Sequence, residues 1–185
     1  FIVNVFEVMA ACPQHTFQIL TKRPERIESV LYGEEGQYYL GGGDWVPNVW
    51  MGFSAEDQAS FDRRWQVFEV RQGEQVSWAY AMNLWVSAEP LISNITMRRA
   101  LWNEHVRLKW VVCGGESGPG ARPCDLSWIR SIKEQCQAAS VPVFVKQLGA
   151  EPRWDRDESV RFLKDKKGGD ISEFPLDLQM REYPR

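Results

Sequence analysis

Polar side chains that could bind a ligand or move a proton follow several short apolar segments of this chain. The pattern Ser-Ala-Glu occurs twice, with Ser54 and Glu56 in the first copy and Ser87 and Glu89 in the second. A carboxylate at such a place can accept hydrogen bonds from hydroxyl or amino groups, or transfer a proton if its pKa is raised. Pro90 favours an extended backbone at Glu89. For Glu56, favourable placement at a helix start is the alternative explanation.

A glycine-rich loop with the sequence CGGESGPGARP is the most distinctive feature of the chain. Gly114 and Gly115 allow a close backbone approach to a ligand and can present N–H groups to an anion. Ser117 follows Glu116 in the same loop. The spacing matches neither the phosphate loop of nucleotide hydrolases nor the dinucleotide-binding fingerprint. The alternative is that the glycines only allow a tight turn of the backbone in a sterically crowded place, with Glu116 and Arg122 as a local ion pair.

Basic residues also follow these apolar segments, so the ends of the segments carry both positive and negative side chains. Lys22 and Arg23 follow the first apolar segment, and Lys146 lies at the end of the last one. A mixed ring of this kind suits a zwitterionic or phosphorylated small ligand. The predicted ligand site comprises Lys22, Arg23, Ser54, Glu56, Ser87, Gly114, Gly115, Ser117, Arg122 and Lys146, with Glu89 and Glu116 as catalytic residues.

Five segments rich in β-branched and aromatic residues are predicted to be the strands that position these groups. They cover residues 16–21, 48–54, 83–88, 108–113 and 141–147. Helical patterns over residues 24–31 and 125–136 alternate with them, which indicates an α/β fold of parallel β/α units, part of a TIM-like barrel. In such folds the carboxyl ends of the strands form one ligand-binding edge.

The domain organisation is predicted to be simple. Residues 1–150 form a partial β/α-barrel domain, and residues 151–185 form a C-terminal extension that wraps it with Phe174, Leu176, Leu178 and Tyr183. Residues 33–47 and 72–81 interrupt the repeat as insertions. We expect an open or partly closed sheet with an apolar edge that a second copy covers in a homodimer.

Composition excludes some classes of function. The chain has 185 residues and a formal net charge of -3, so it lacks the general basic field of a nonspecific nucleic-acid binder. No apolar stretch approaches the roughly 18 residues that span a bilayer, and we expect an intracellular protein with no membrane contact. The spacing of the four cysteines fits no metal motif, which predicts reduced thiols near the core and no metal held by this chain alone.

Several motifs together resemble a phage- and prophage-associated protein family of unknown function. They are CPQHTFQILTKRPER, PNVWMGFSAEDQ, VSAEPLI, WVVCGGESGPGARP, VPVFVKQLG and, near the C-terminus, KKGGDISEFPLDLQMREYP. Members of that family begin with a cysteine block similar to the CxxxCxxC block of radical S-adenosylmethionine enzymes, in which three thiolates hold a [4Fe-4S] cluster. In this chain such a block would precede Phe1.

The resemblance implies a function as well as a fold. It implies the C-terminal part of a radical S-adenosylmethionine-like enzyme in the cytoplasm of a bacterium or phage-infected host, with a nucleic-acid-derived substrate. Glu89 and Glu116 would contact the amino group or ribose, and Lys22 and Arg122 the carboxylate or a substrate phosphate. Trp45 and Trp154, both in loops, could be surfaces for stacking on a base, with core packing as the default expectation.

Two other classes of function stay open at this point. One is a metal-free β/α-barrel hydrolase or lyase that acts on a phosphorylated small molecule and uses Glu89 or Glu116 as acid or base. The other is a protein that binds a nucleotide or a protein partner without turnover.

Overall fold

A computed structural model describes residues 1–32, 45–69, 79–154 and 163–184. The helices are α1 (Ile2–Ala11), α2 (Ile27–Tyr32, after a 3-10 turn over Pro24–Arg26), α3 (Gln58–Trp65), α4 (Arg98–Leu101) and α5 (Leu126–Ala138). The strands are β1 (Phe17–Thr21), β2 (Val49–Ser54), β3 (Asn83–Ala88), β4 (Leu108–Gly114), β5 (Cys124–Asp125), β6 (Val143–Gln147) and β7 (Pro152–Arg153). Most of the two predicted insertions lies outside the described residues.

Five strands form one parallel sheet in the order β1-β2-β3-β4-β6. Strands β5 and β7 form a separate parallel pair. Each strand of the large sheet therefore lies beside its predecessor in the chain, and all five carboxyl ends meet at one edge. The predicted α/β class and the parallel sheet are confirmed. The closure of the sheet into a barrel stays a prediction.

One face of the sheet packs against helices and holds the main core. Phe53 of β2 lies within 5.9 Å of the Phe61 ring and 5.5 Å of the Phe68 ring, measured between centroids. Helix α5 begins where the Asp125 carboxylate accepts a hydrogen bond from the backbone N–H of Ser127, which satisfies an otherwise unpaired helix donor. Its buried side chains form a single stripe that faces the sheet: Leu126, Ile129, Ile132 and Cys136.

The opposite face carries a separate aromatic cluster, which we call the aromatic face. It consists of Trp85, Trp110 and Val112, with Trp50 and Phe144 packed against them. The Trp85 and Trp110 rings lie 5.3 Å apart between centroids. Towards the carboxyl ends of the same strands the side chains become small or polar. The aromatic face is thus continuous with the predicted site.

The C-terminal residues 163–184 lie against this sheet. Phe174 and Leu178 are buried in the main core, whereas Leu176 is 88% exposed, so its predicted role in wrapping the domain is wrong. Tyr183 is 63% exposed, yet its ring packs on Trp110 at 5.9 Å and on Phe144 at 5.3 Å. The division of the chain at residue 150 and the homodimer both stay predictions.

No helix within the described ranges is both long enough and apolar enough to cross a bilayer.

Candidate functional site

Glu89 lies just beyond β3, and its carboxylate is the centre of the candidate site. The Ser87 hydroxyl and the Lys146 ammonium each donate a hydrogen bond to Glu89 Oε2, both at 3.2 Å. Glu89 Oε1 is buried and accepts no hydrogen bond; within the described ranges it is the only buried side-chain nitrogen or oxygen atom in that condition. An acceptor in that state costs about 1–3 kcal/mol unless a donor reaches it. The site therefore offers one unused acceptor.

The backbone around Glu89 is fixed from both sides. The peptide bond between Glu89 and Pro90 is cis. Beyond it, the N–H of Leu91 donates to Gly114 O at 2.9 Å, and the N–H of Ile92 donates to Glu56 O at 3.0 Å. The segment after β3 thus crosses between the ends of β2 and β4, and it holds the carboxylate at the centre of the sheet edge.

Gly114 explains how Glu89 and Lys146 meet, although β4 lies between their strands. A Cβ atom on Gly114 would lie 2.9 Å from Glu89 Oε1 and 2.7 Å from the carbonyl oxygen of Gln147. A residue with a side chain would fill the space through which the two charged groups approach each other. Gly115 is similarly enclosed, because its Cβ would lie 2.8 Å from Cys124 Cβ. Packing alone therefore requires both glycines, and their predicted ligand contacts stay predictions.

The end of β2 forms a second charged group, separate from Glu89. Glu56 accepts a hydrogen bond from Arg64 at 2.7 Å and lies 3.6 Å from the Lys22 ammonium. Burial raises the pKa of Glu56, but the hydrogen bond and charge of Arg64 and the charge of Lys22 outweigh it, so the pKa is lowered. Arg64 also donates to Ser54 O at 2.7 Å. Ser54 is buried beneath this group.

Asp57, not Ser54, caps helix α3. Its carboxylate accepts from the N–H of Ser60 at 2.7 Å, and the Ser60 hydroxyl accepts from the N–H of Asp57 at 3.0 Å. Arg64 follows Ser60 by four positions, so the two side chains lie on the same face of α3. That spacing was the only signal in the sequence that could have identified Arg64, which the sequence analysis missed.

Glu116 and Arg122 form an ion pair within the glycine-rich loop. Arg122 Nε and Nη2 donate to the two Glu116 oxygens at 2.6 and 3.1 Å, and the Arg122 N–H donates at 3.0 Å. The hydrogen bonds from Arg122 lower the pKa of Glu116 to about 2. A carboxylate this acidic is a weak proton acceptor. The catalytic role of Glu116 stays a prediction.

We expect the Glu116 carboxyl carbon, followed by NMR, to titrate with a midpoint at about 2. Arg122→Ala should return the midpoint to an ordinary value of about 4.3. Because the pKa is lowered in the folded state, the pair stabilises the fold above the unfolded-state pKa, about 4.3, and this contribution is lost as the pH falls further. An unchanged midpoint in the variant would show that Arg122 is not the cause.

The predicted mixed ring thus consists of three separate ion pairs at one edge of the sheet. Lys22 and Glu56 connect the ends of β1 and β2, and Lys146 and Glu89 connect β6 to the end of β3. Arg122 and Glu116 form the third pair, within the loop after β4. Arg23 and Ser117 are exposed at the same edge. Among the carboxylates of the described residues, only that of Glu89 keeps a buried oxygen without a donor.

A protein family described as proteins of unknown function (DUF5131) has a sequence model that matches residues 1–176. The chain belongs to the DUF5131 family. No curated protein and no solved structure matches it. The family description assigns no activity, so the phage association and the radical chemistry that the resemblance implies stay predictions for this DUF5131 protein.

The described part of this DUF5131 protein offers no set of metal ligands. Cys113, Cys124 and Cys136 are buried free thiols. Burial raises the pKa of Cys124 and of Cys136 to about 12, and that of Cys113 well above its ordinary value. Metals bind the thiolate form, which these positions disfavour. No group of three or more His, Cys, Asp or Glu side chains in the described ranges could hold a metal ion.

Proposed function

We propose that this chain is the ligand-binding part of a radical S-adenosylmethionine-like enzyme, in which Glu89 accepts a hydrogen bond from the amino group of S-adenosylmethionine. The buried, unpaired Glu89 Oε1 is the observation that supports this proposal. It lies at the carboxyl edge of a parallel sheet, where α/β proteins bind their ligands. The resemblance stated above supplies the class of enzyme.

The chemistry around Glu89 fits the amino-acid end of S-adenosylmethionine. An ammonium group is the preferred donor, because charge-assisted hydrogen bonds are about twice as strong as neutral ones. The Lys146 side chain is 57% exposed, whereas that of Glu89 is only 13% exposed. Lys146 can therefore hold Glu89 Oε2 and still face a ligand carboxylate. A buried acceptor beside an accessible cation complements a zwitterion.

The [4Fe-4S] cluster implied by the resemblance does not fit the described residues. Cys113, Cys124 and Cys136 are buried and carry raised pKa values, and no group of ligands for a metal ion is present among the described residues. We therefore derive no step through a cluster. The role proposed for this chain is to bind and orient S-adenosylmethionine, which supplies the group that reacts, and to hold a nucleic-acid-derived substrate at the same edge.

Calorimetric titration of S-adenosylmethionine into the chain tests the proposal. We expect Glu89→Gln to weaken binding about 30-fold, which corresponds to about 2 kcal/mol, because the amide cannot form the charge-assisted bond. Glu69→Gln is the matched control. Its carboxylate pairs with Arg99 at 2.6 Å and belongs to none of the predicted ligand contacts, so the affinity should stay within about twofold of the unaltered chain.

The titration, together with an assay of phosphate-ester hydrolysis and a titration with nucleotide, separates the other functions that the sequence leaves open. Equal affinity in the Glu89 variant, or no binding of S-adenosylmethionine at all, would contradict the proposal. Turnover of a phosphate ester without added iron would favour the metal-free hydrolase. Nucleotide binding without turnover would favour the non-catalytic class.

A further inference from the structure

Residues 180–182 cover the outer edge of β6. The N–H of Val145 donates to Met180 O at 2.8 Å, and the N–H of Glu182 donates to Val143 O at 3.1 Å, so the segment runs antiparallel to the strand. The Trp110 indole N–H donates to Glu182 O at 2.9 Å. We call residues 180–183 the C-terminal clasp. It occupies the side of β6 opposite β4.

Arg181 connects the clasp to the candidate site. One of its terminal nitrogens, Nη2, donates to Lys146 O at 3.2 Å and to Gly169 O at 2.7 Å. The guanidinium carbon lies 5.6 Å from the centre of the Phe144 ring and 5.9 Å from that of Phe174. Cation–π contacts of this kind hold the guanidinium over both rings. The backbone of Lys146 is thus bonded directly to the clasp.

We propose that Arg181 is a positioning residue, which holds the backbone of Lys146 so that its ammonium reaches across β4 to Glu89. The proposal rests on the proposed function of the Glu89 site. Lys146 lies near the end of an edge strand, and the register between β4 and β6 shifts between Cys113 and Gly114. Lys146 therefore has no register partner on β4, since Val145 pairs with Cys113 and Gln147 pairs with Gly114. The contact from Arg181 supplies a second attachment.

Docking of the clasp and binding at Glu89 should then be coupled. Any state in which the clasp is released leaves Lys146 less ordered, and ordering it again costs part of the binding free energy. By linkage, a ligand that needs the ordered state favours the docked clasp to the same extent. A ligand bound at Glu89 should therefore slow proteolysis within residues 180–184.

Three variants test the role of Arg181. Arg181→Ala removes both hydrogen bonds and both ring contacts, and Arg181→Lys keeps the charge over the rings. Asp177→Asn is the control, because Asp177 is also in the C-terminal segment but pairs with Arg130 at 2.8 Å and Lys133 at 3.7 Å, outside the β6 contact. Thermal unfolding followed by circular dichroism confirms that each variant is folded.

Two measurements report on the site. One is the affinity for S-adenosylmethionine. The other is the NMR signal of Lys146 in protein with ¹³C-methylated lysines, assigned by Lys146→Arg. We expect Arg181→Ala to weaken binding about tenfold and to move the Lys146 signal towards that of a free lysine. Arg181→Lys should give a smaller change of the same sign, and Asp177→Asn should give neither.

The outcomes separate this proposal from the function on which it rests. If Glu89→Gln weakens binding but Arg181→Ala leaves both the affinity and the Lys146 signal unchanged, the positioning role is overturned and the proposed function stands. If the unaltered chain does not bind S-adenosylmethionine, the proposed function fails. The Lys146 signal then decides the role of Arg181 by itself, since an unmoved signal overturns it.

Discussion

Replacing Gly52 with alanine should lower the free energy of unfolding by about 3 kcal/mol, the upper end of the usual cost of overpacking a core. Gly52 is the register partner of Trp85 in the neighbouring strand, and the Trp85 indole lies directly over it. An added Cβ would lie 2.7 Å from Trp85 Cδ2 and still closer to two other ring atoms. The ring cannot move freely, because it packs against Trp110 and donates to Trp50 O at 3.3 Å. Urea unfolding followed by circular dichroism measures the loss.

A double-mutant cycle with Trp85→Leu separates this clash from a general effect of alanine in a strand. The smaller leucine leaves room for the new methyl group, so Gly52→Ala should cost at most about 1 kcal/mol in that background. The coupling free energy should therefore be about 2 kcal/mol. If both backgrounds lose the same stability, the indole is not what requires glycine at position 52.

The strands and the clearest helix could be predicted because their signals are local. Consecutive apolar residues in β4 and β6 indicated strands of a parallel sheet, and the apolar stripe after Asp125 indicated α5. The sequence also indicates which residues follow each strand, and parallel strands bring those residues to one edge. The gathering of Glu56, Glu89 and Lys146 at that edge follows from this rule.

The pairing of charges within the site could not be predicted, because it depends on distances across the sheet. Nothing local indicates that Lys146 reaches Glu89 past an intervening strand, or that Arg64 from α3 binds Glu56. The same limit applies to Trp45, a loop residue for which a stacking surface was weighed against core packing, the default. It is buried against Phe6, and its indole N–H donates to Val49 O at 2.8 Å. The sequence shows that Trp45 lies outside the predicted strands, whereas its burial depends on residues that are distant in the chain.

Glycine can be required at a position for more than one physical reason, as Gly114 and Gly52 show. The sequence predicts that Gly114 lets a ligand approach the backbone, which is one reason for a glycine at a strand end. Gly52 carries no such signal, because a single glycine in an apolar strand has no local partner. In the folded chain each leaves space for a side chain from a neighbouring strand: the Glu89 carboxylate beside Gly114 and the Trp85 indole over Gly52.

Replacing Gly114 with alanine should remove the Glu89–Lys146 pair and weaken binding of S-adenosylmethionine at least about tenfold. The new methyl group would lie 2.9 Å from Glu89 Oε1 and 2.7 Å from Gln147 O. The carboxylate can turn away, but the backbone carbonyl cannot, so we also expect a loss of about 2 kcal/mol in the free energy of unfolding. Calorimetry, urea unfolding and the NMR signal of methylated Lys146 measure the three effects. Ser29→Ala, at an exposed position on α2 outside the predicted ligand site, should change none of them.

Two explanations of Gly114 predict different combinations of these effects. If the glycine is needed for contact between backbone and ligand, alanine should weaken binding while the stability and the Lys146 signal stay as they were. If it is needed so that Glu89 and Lys146 can meet across β4, the affinity, the stability and the Lys146 signal should all change. In a Glu89→Ala background, Gly114→Ala should then cost less stability, because only the contacts with Gln147 remain. The short distances to Glu89 and Gln147 favour the second explanation, in which an absent side chain allows an ion pair to form between strands that are not neighbours.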